Sequence, residues 1–213
     1  MRRNHAPGLL LLSYPAVVHF ALVLDQVFVA SAVLLVVSTC CIVAALANAF
    51  GSRGSRNGVL LIFGGIAVLS LLNLTSNTRY GFYFPPVIFN LVMLAIFANT
   101  LLPGREPLIT MLHRQAVNKI IDSTIAAYTR RLTWIWACLF AAMALESVVL
   151  AIIAPLSVWS LFTNFLNYVF VVALLVGEYF YRIVRYRNHT HPPLVQFLLN
   201  LARADWMKSS RPN

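Results

Sequence analysis

Charge is what this chain has least of. Asp, Glu, Lys and Arg make up 10% of its 213 residues, and only six of those are acidic. The mean hydropathy is +0.79. Soluble domains carry about 25% charged residues, so a soluble globular class is excluded. Cysteine is equally scarce. Cys40, Cys41 and Cys138 all fall inside apolar runs without metal-ligand spacing, so they read as small packing or lipid-facing residues and no metal site is expected. Catalytic signatures are missing too: no Gly-rich phosphate loop, no G-x-S-x-G, no H-E-x-x-H, and no paired aspartates of the kind that hold prenyl diphosphates. No internal repeat or low-complexity segment is present, and no cofactor is implied.

What the chain has is apolar length. At 60% hydrophobic content it reads as an all-α polytopic membrane protein, organised as a single membrane domain. Six spans are expected, at about 8–24, 27–50, 59–74, 82–102, 132–153 and 157–181. Arg2 and Arg3, the apolar stretch from Gly8 and the small residues Ala30, Ser31 and Ala32 outline a signal peptide. The candidate cleavage site is embedded in a further apolar run to Phe50, so two uncleaved spans meeting near Asp25 and Gln26 are the better reading. Pro85 and Pro86 stand where a fourth helix starts, and Ala154 and Pro155 make the turn of a last hairpin.

The net charge of +10 would suggest nucleic acid in a soluble protein. Here the basic residues flank apolar runs, where they set orientation and meet anionic lipid headgroups, so the bilayer rather than nucleic acid is the expected partner. Fifteen of the sixteen Lys and Arg residues fall on one side of the six-span scheme, with only Arg79 opposite. That bias places both termini in the cytoplasm. The long loop 103–131 carries two amphipathic patterns, first Leu108, Ile109, Leu112 and Ala116, then Val117, Ile120, Ile121, Ile125 and Tyr128. Two short helices lying on the membrane surface are expected from them. The tail 182–213 repeats the pattern after Pro192 and Pro193, with Leu194, Phe197, Leu198 and Leu201 on one face.

Inside the spans the costly residues are few. Counting about 1.5 Å per residue from the outer end of each span puts His19, Asn90, Glu146 and Asn164 in one layer roughly 9–12 Å deep, with Asn167 a turn beyond Asn164. Intramembrane polar groups turn inward and pair. Two readings of the layer are open: interhelical hydrogen bonding among Glu146, Asn90, Asn164 and Asn167, or an acid–base pair of His19 and Glu146, the two candidate catalytic residues. Ser160, Asn164, Asn167, Val171, Leu174 and Glu178 follow steps of four and three and so share one helix face. Glu178 falls near the cytoplasmic boundary, where pairing with Arg182 one turn later is the plain reading. With Arg105, Glu106, Arg130, Arg131 and Arg185 these two make up the expected cytoplasmic interface. His189 and His191 lack neighbouring ligands and read as solvated, headgroup-facing residues.

The run Arg130, Arg131, Leu132, Thr133, Trp134, Trp136, Ala137 and Phe140, followed by Trp159 and Phe162, resembles the intracellular septation protein A family of bacterial inner membranes over about a quarter of the chain. Thr163 stands where that family often has a basic residue, and Glu146 where it is usually uncharged. Gly104–Ile109 (GREPLI) and Tyr128–Trp134 (YTRRLTW) are similar to an uncharacterised family of bacterial membrane proteins, often encoded near fatty-acid-like or aryl polyene synthesis genes, over most of the chain. That family has no established activity and so supplies no catalytic residue. The resemblance implies an inner-membrane location. The lack of a catalytic motif and two basic cytoplasmic surface elements point to a non-catalytic accessory or scaffold role for envelope or lipid-linked synthesis, with membrane or cytoplasmic synthesis enzymes as the expected partners. A small carrier of protons, lipids or acyl substrates, and a lipid-modifying enzyme using a His/Glu pair, are the alternatives.

Overall fold

The computed structural model describes residues 6–46, 53–76, 80–117 and 122–185. Among them there is no strand, and seven α-helices carry nearly all residues. These are α1 (Ala6–Val23), α2 (Val27–Leu46), α3 (Arg53–Ser76), α4 (Phe84–Asn99), α5 (Leu108–Val117), α6 (Ser123–Ile153) and α7 (Leu156–Arg185), the last interrupted by a π segment at Phe162–Leu166. Helices α2, α6, α7 and most of α3 are long and apolar enough to cross a membrane, and α4 is a shorter apolar helix. Their outward surface is apolar: Phe28, Leu61 and Ile152 are 71%, 78% and 78% exposed. Such a surface suits lipid, where every backbone polar group must be satisfied within the helix.

Several boundaries differ from the sequence reading, each for a local reason. The third helix starts at Arg53 rather than 59, because the polar stretch holds no proline to stop it. The fourth starts at Phe84, since Tyr80–Phe82 is wound into a 3₁₀ turn, and its two prolines occupy the first turn, where no hydrogen bond is lost. The largest difference is in the loop 103–131. One short helix, α5, forms as expected. Of the second pattern, Val117 ends α5, Ile120 and Ile121 lie outside the described residues, and Ile125 and Tyr128 fall in the start of α6, where the Asp122 carboxylate accepts the Thr124 N–H at 3.3 Å and no breaker follows for 31 residues. Arg130 and Arg131 therefore lie within a helix, not at its edge. The tail with His189, His191 and its amphipathic pattern, along with Arg2, Arg3, Arg79 and Lys119, lies outside the described residues.

The connection between α1 and α2 is a Schellman cap. Gln26 N–H reaches the Ala21 carbonyl at 2.7 Å and Asp25 N–H that of Leu22 at 3.2 Å. This geometry requires a left-handed residue, and Asp25 takes it at φ 58°. The hairpin of α6 and α7 turns at Ala154 and Pro155, as the sequence suggests.

The chain divides into two compact units, Met1–Ile88 with Leu145–Val169, and Phe89–Ala144 with Phe170–Asn213. In the first, Val18 and Leu22 of α1, Ala30 and Leu34 of α2, Ile66 of α3 and Phe82 surround Trp159, which is 1% exposed. Its indole N–H donates to the Ser147 carbonyl at 3.0 Å, and Tyr83 meets it edge-on with ring centroids 4.9 Å apart. Gly81 is needed at the turn before α4. Its N–H donates to Asn73 Oδ1 at 3.2 Å, and a Cβ there would lie 2.7 Å from Asn73 Nδ2.

The second unit is built around α5. Leu108, Ile109, Met111 and Leu112 are buried against Phe97, Leu101, Leu132, Trp136 and Phe140. The apolar face expected to lie on lipid is thus consumed by the fold. Four threonines hold it there. Thr100 Oγ1 accepts the Leu108 N–H at 3.0 Å, Thr133 Oγ1 accepts the Ile109 N–H at 3.3 Å, and the hydroxyls of Thr110 and Thr129 meet at 2.7 Å. A helix start leaves its first N–H groups without intrahelical partners, and here Thr100 and Thr133 take up two of them.

Candidate functional site

In the first unit the intramembrane polar residues gather on α7. Ser160, Asn164 and Asn167 are all buried, which makes the predicted face a packed one. His19 Nδ1 lies 3.1 Å from Ser160 Oγ, and Asn164 Nδ2 donates to the same oxygen at 3.0 Å. Ser160 therefore links α1 to the π segment that carries Asn164. Sequence reasoning placed Ser160 on this face but not in the polar layer, because a serine in an apolar helix so often bonds only its own backbone.

The same geometry separates residues the sequence grouped together. His19 bonds Ser160, and no hydrogen bond joins it to Glu146. Glu146 is partly buried, and its Oε1 has no hydrogen-bond partner among the described residues. Both amide atoms of Asn167 are likewise without a partner among the described residues, although the residue is only 4% exposed. Asn90 belongs to the other unit, where it is buried. A hydroxyl beside an imidazole has the form of a nucleophile and its base. Ser160 is, however, 0% exposed, so no substrate atom reaches its oxygen. The arrangement joins α1 to α7 through the shared Ser160 hydroxyl.

The second unit carries most of the described arginines, with Arg53 and Arg56 in the first. Arg105 bonds the Asn99 side chain, Arg130 donates to the Leu101 carbonyl at 3.4 Å, and Glu106 pairs with Arg114 at 2.5 Å. The last pair is exposed and contributes at most about 1 kcal/mol. Glu178 and Arg182 form a different kind of pair. Their side chains are 10% and 8% exposed, 3.1 Å apart, and Tyr128 Oη donates to the other carboxylate oxygen at 3.0 Å. Breaking so buried a pair costs about 3–5 kcal/mol, far more than a surface pair. Tyr128 also stacks on Tyr181, with centroids 5.8 Å apart and planes 22° from parallel.

Beside this network the start of α6 and the end of α7 enclose a cleft of about 570 Å³. Arg131, Arg185, Tyr128, Tyr181 and Glu178 line its polar side, and Ile135 and Leu174 its apolar wall. The sequence reading named the charged residues but not the cleft, and it placed Tyr128 only on an amphipathic face. Tyr128 and Glu178 stand 50 residues apart, and no local periodicity links them. No family model matches the chain, nor does any curated protein or any solved structure.

Proposed function

We propose that the chain is a non-catalytic accessory protein of a bacterial inner membrane, a scaffold or helper for envelope or lipid-linked synthesis. It spans the membrane six times with both termini in the cytoplasm. The observation that carries this reading is the platform in the second unit: α5 is stitched to the start of α6 by threonines, and Arg105, Arg114, Arg130 and Arg131 all stand exposed on it. A folded basic platform suits recruitment of a partner at the membrane surface, while the enclosed Ser160 speaks against chemistry in the spans. Photo-crosslinkers at the exposed positions Gln115 and Thr124, used in native membranes, should capture one identifiable synthesis enzyme. Its capture should fail when the four arginines are replaced by Gln. Recovery of the protein alone, with those arginines dispensable, overturns the reading. Labelling of single cysteines in a cysteine-free background should reach positions 25, 79 and 155 from outside and spare 105, 114 and 185.

The π segment and the bare amide of Asn167 favour one second reading, a small carrier. Local breaks in helices and unpaired polar groups line substrate paths in transporters. Purified protein in liposomes that moves no proton, lipid or acyl substrate removes it.

A further inference from the structure

We infer that the cleft between the start of α6 and the end of α7 is a site for one long-chain carboxylate, with the carboxylate on Arg131 and the chain passing over Gly177 toward the bilayer. The cleft belongs to the second unit, whereas His19, Ser160 and Asn164 belong to the first, and the site does not depend on the accessory role.

Gly177 stands in the interior of α7, where glycine destabilises a helix relative to alanine. Its φ is not positive, and a Cβ built on it would meet no atom within 4 Å. Neither backbone geometry nor close packing among the described residues calls for glycine there. The residue is exposed and lines the cleft, so the open space in front of it is the cleft itself. A side chain missing from such a wall lets something outside the chain approach the backbone.

The cleft is long and thin. Its lining follows one face of each helix, from Thr124 to Ile135 on α6 and from Leu174 to Arg185 on α7, about 16 Å at about 1.5 Å per residue. A volume of about 570 Å³ over that length gives a mean cross-section of about 35 Å². A helix, about 10–12 Å across, needs more than twice that area, so the occupant is a single extended chain. Counted back from Ile153, a hydrocarbon core of about 30 Å takes up about 20 residues of α6. Ile135, 50% exposed, stands at the edge of that core and Arg131 one turn beyond it. One end of the cleft is thus within reach of lipid chains and the other lies outside the core, which calls for an amphiphile.

Arg131 sets its charge. Glu178 is taken up by Arg182 and Tyr128, and Arg185 is engaged within the protein. Arg131 is exposed and makes no hydrogen bond or ion pair with a described residue, so one positive charge in the lining is left over. A guanidinium meets the two oxygens of a carboxylate through paired N–H donors. Leu132 follows Arg131 and Gly177 precedes Glu178, so the apolar stretch starts at the level of the charge. That is the layout of a molecule whose anion ends its chain.

Photolabelling of the full chain in phosphatidylcholine nanodiscs with a diazirine-bearing hexadecanoate, followed by peptide mapping, tests the site. Label should fall on residues 124–135 and 174–185, and unlabelled hexadecanoate should displace it at least tenfold better than hexadecanol. Arg131→Gln should erase that difference. Gly177→Leu fills open space with a better helix former, so its thermal midpoint should not fall while labelling drops at least tenfold. Ile135→Trp obstructs the same stretch from the other helix and decides the point if Gly177→Leu is unstable. Label mapped elsewhere in the chain overturns the site, as does unchanged labelling in folded G177L or I135W. Equal displacement by hexadecanol would show that Arg131 reads no charge, and displacement by phosphatidylglycerol as effective as that by hexadecanoate would mark a phospholipid site; either result refutes the assignment.

Discussion

Thr133→Val isolates a contact on which the docking of α5 depends. Thr133 is 0% exposed, accepts the Ile109 N–H at 3.3 Å, and donates to the Thr129 carbonyl at 2.8 Å. Valine has nearly the same shape and suits a buried site, so packing is kept. The loss is the acceptor for a donor at the start of α5. Leaving such a donor unsatisfied in the interior costs about 1–3 kcal/mol, and the better burial of a methyl group offsets part of it, which leaves a net of about 1–2 kcal/mol. That free energy falls on the undocking of α5, so amide exchange over residues 110–117 should speed up roughly 5- to 30-fold while the core of α3 is unaffected. The neighbouring pair supplies an internal check. Thr129→Val should strand the Thr110 hydroxyl, while in Thr110→Val the Thr129 hydroxyl keeps its bond to the Ile125 carbonyl at 2.9 Å; the double variant removes both partners of the 2.7 Å contact and should cost less than the two singles together. Hydrogen exchange with mass spectrometry in detergent reads both effects. Unchanged exchange in α5 for Thr133→Val, or strict additivity for the threonine pair, would show that apolar packing alone holds the helix and refute the reasoning.

Other substitutions probe the rest of the fold. Glu146→Gln keeps shape and hydrogen-bonding capacity but cannot ionise, so folding and accessory function should survive it; loss of a measured activity with intact thermal stability would instead revive acid–base chemistry. Asn167→Leu removes two buried polar atoms without partners among the described residues and should raise the unfolding midpoint, with a gain of about 1–3 kcal/mol; a drop would reveal a polar partner in the site, as a carrier requires. Asp25→Val places a β-branched residue at positive φ and should be about 1–2 kcal/mol less stable than Asp25→Gly, compared by chemical denaturation. Gly81→Ala drives a methyl against the Asn73 amide and should lower stability by about 1–3 kcal/mol, with the penalty reduced in an Asn73→Ala background.

Helices and turns were legible because their signals are local. Pro85, Pro86 and Pro155 mark helix starts wherever they occur, and Asp25 breaks an apolar stretch too long for a single span. The loop 103–131 was misjudged for an equally physical reason. Periodicity reveals an apolar face but not what covers it, and a face shaped for lipid looks the same as one shaped for Trp136 and Phe140. Only Thr129 and Thr133, one turn apart in a chain rich in aliphatic residues, hinted that the neighbouring helix would be bonded rather than floated. The continuity of α6 was available in principle, since nothing between Ser123 and Ile153 interrupts a helix; the charges of Arg130 and Arg131 read as a boundary, yet both lie inside the helix.

The candidate site shows where such reading stops. The cost of burying polar groups drew attention to residues that the fold takes in: His19 bonds Ser160, Asn164 and Asn167 are buried, and Glu178 pairs with Arg182. It did not assign partners, because a depth along an axis leaves the rotation about that axis undetermined. His19 and Glu146 shared a depth, yet the imidazole meets Ser160, a residue too inexpensive to bury to attract notice. The same argument explains Glu178. Sequence spacing gives Arg182 as its neighbour, but the 10% exposure that makes this pair a structural centre comes from Tyr128 and Tyr181 closing over it.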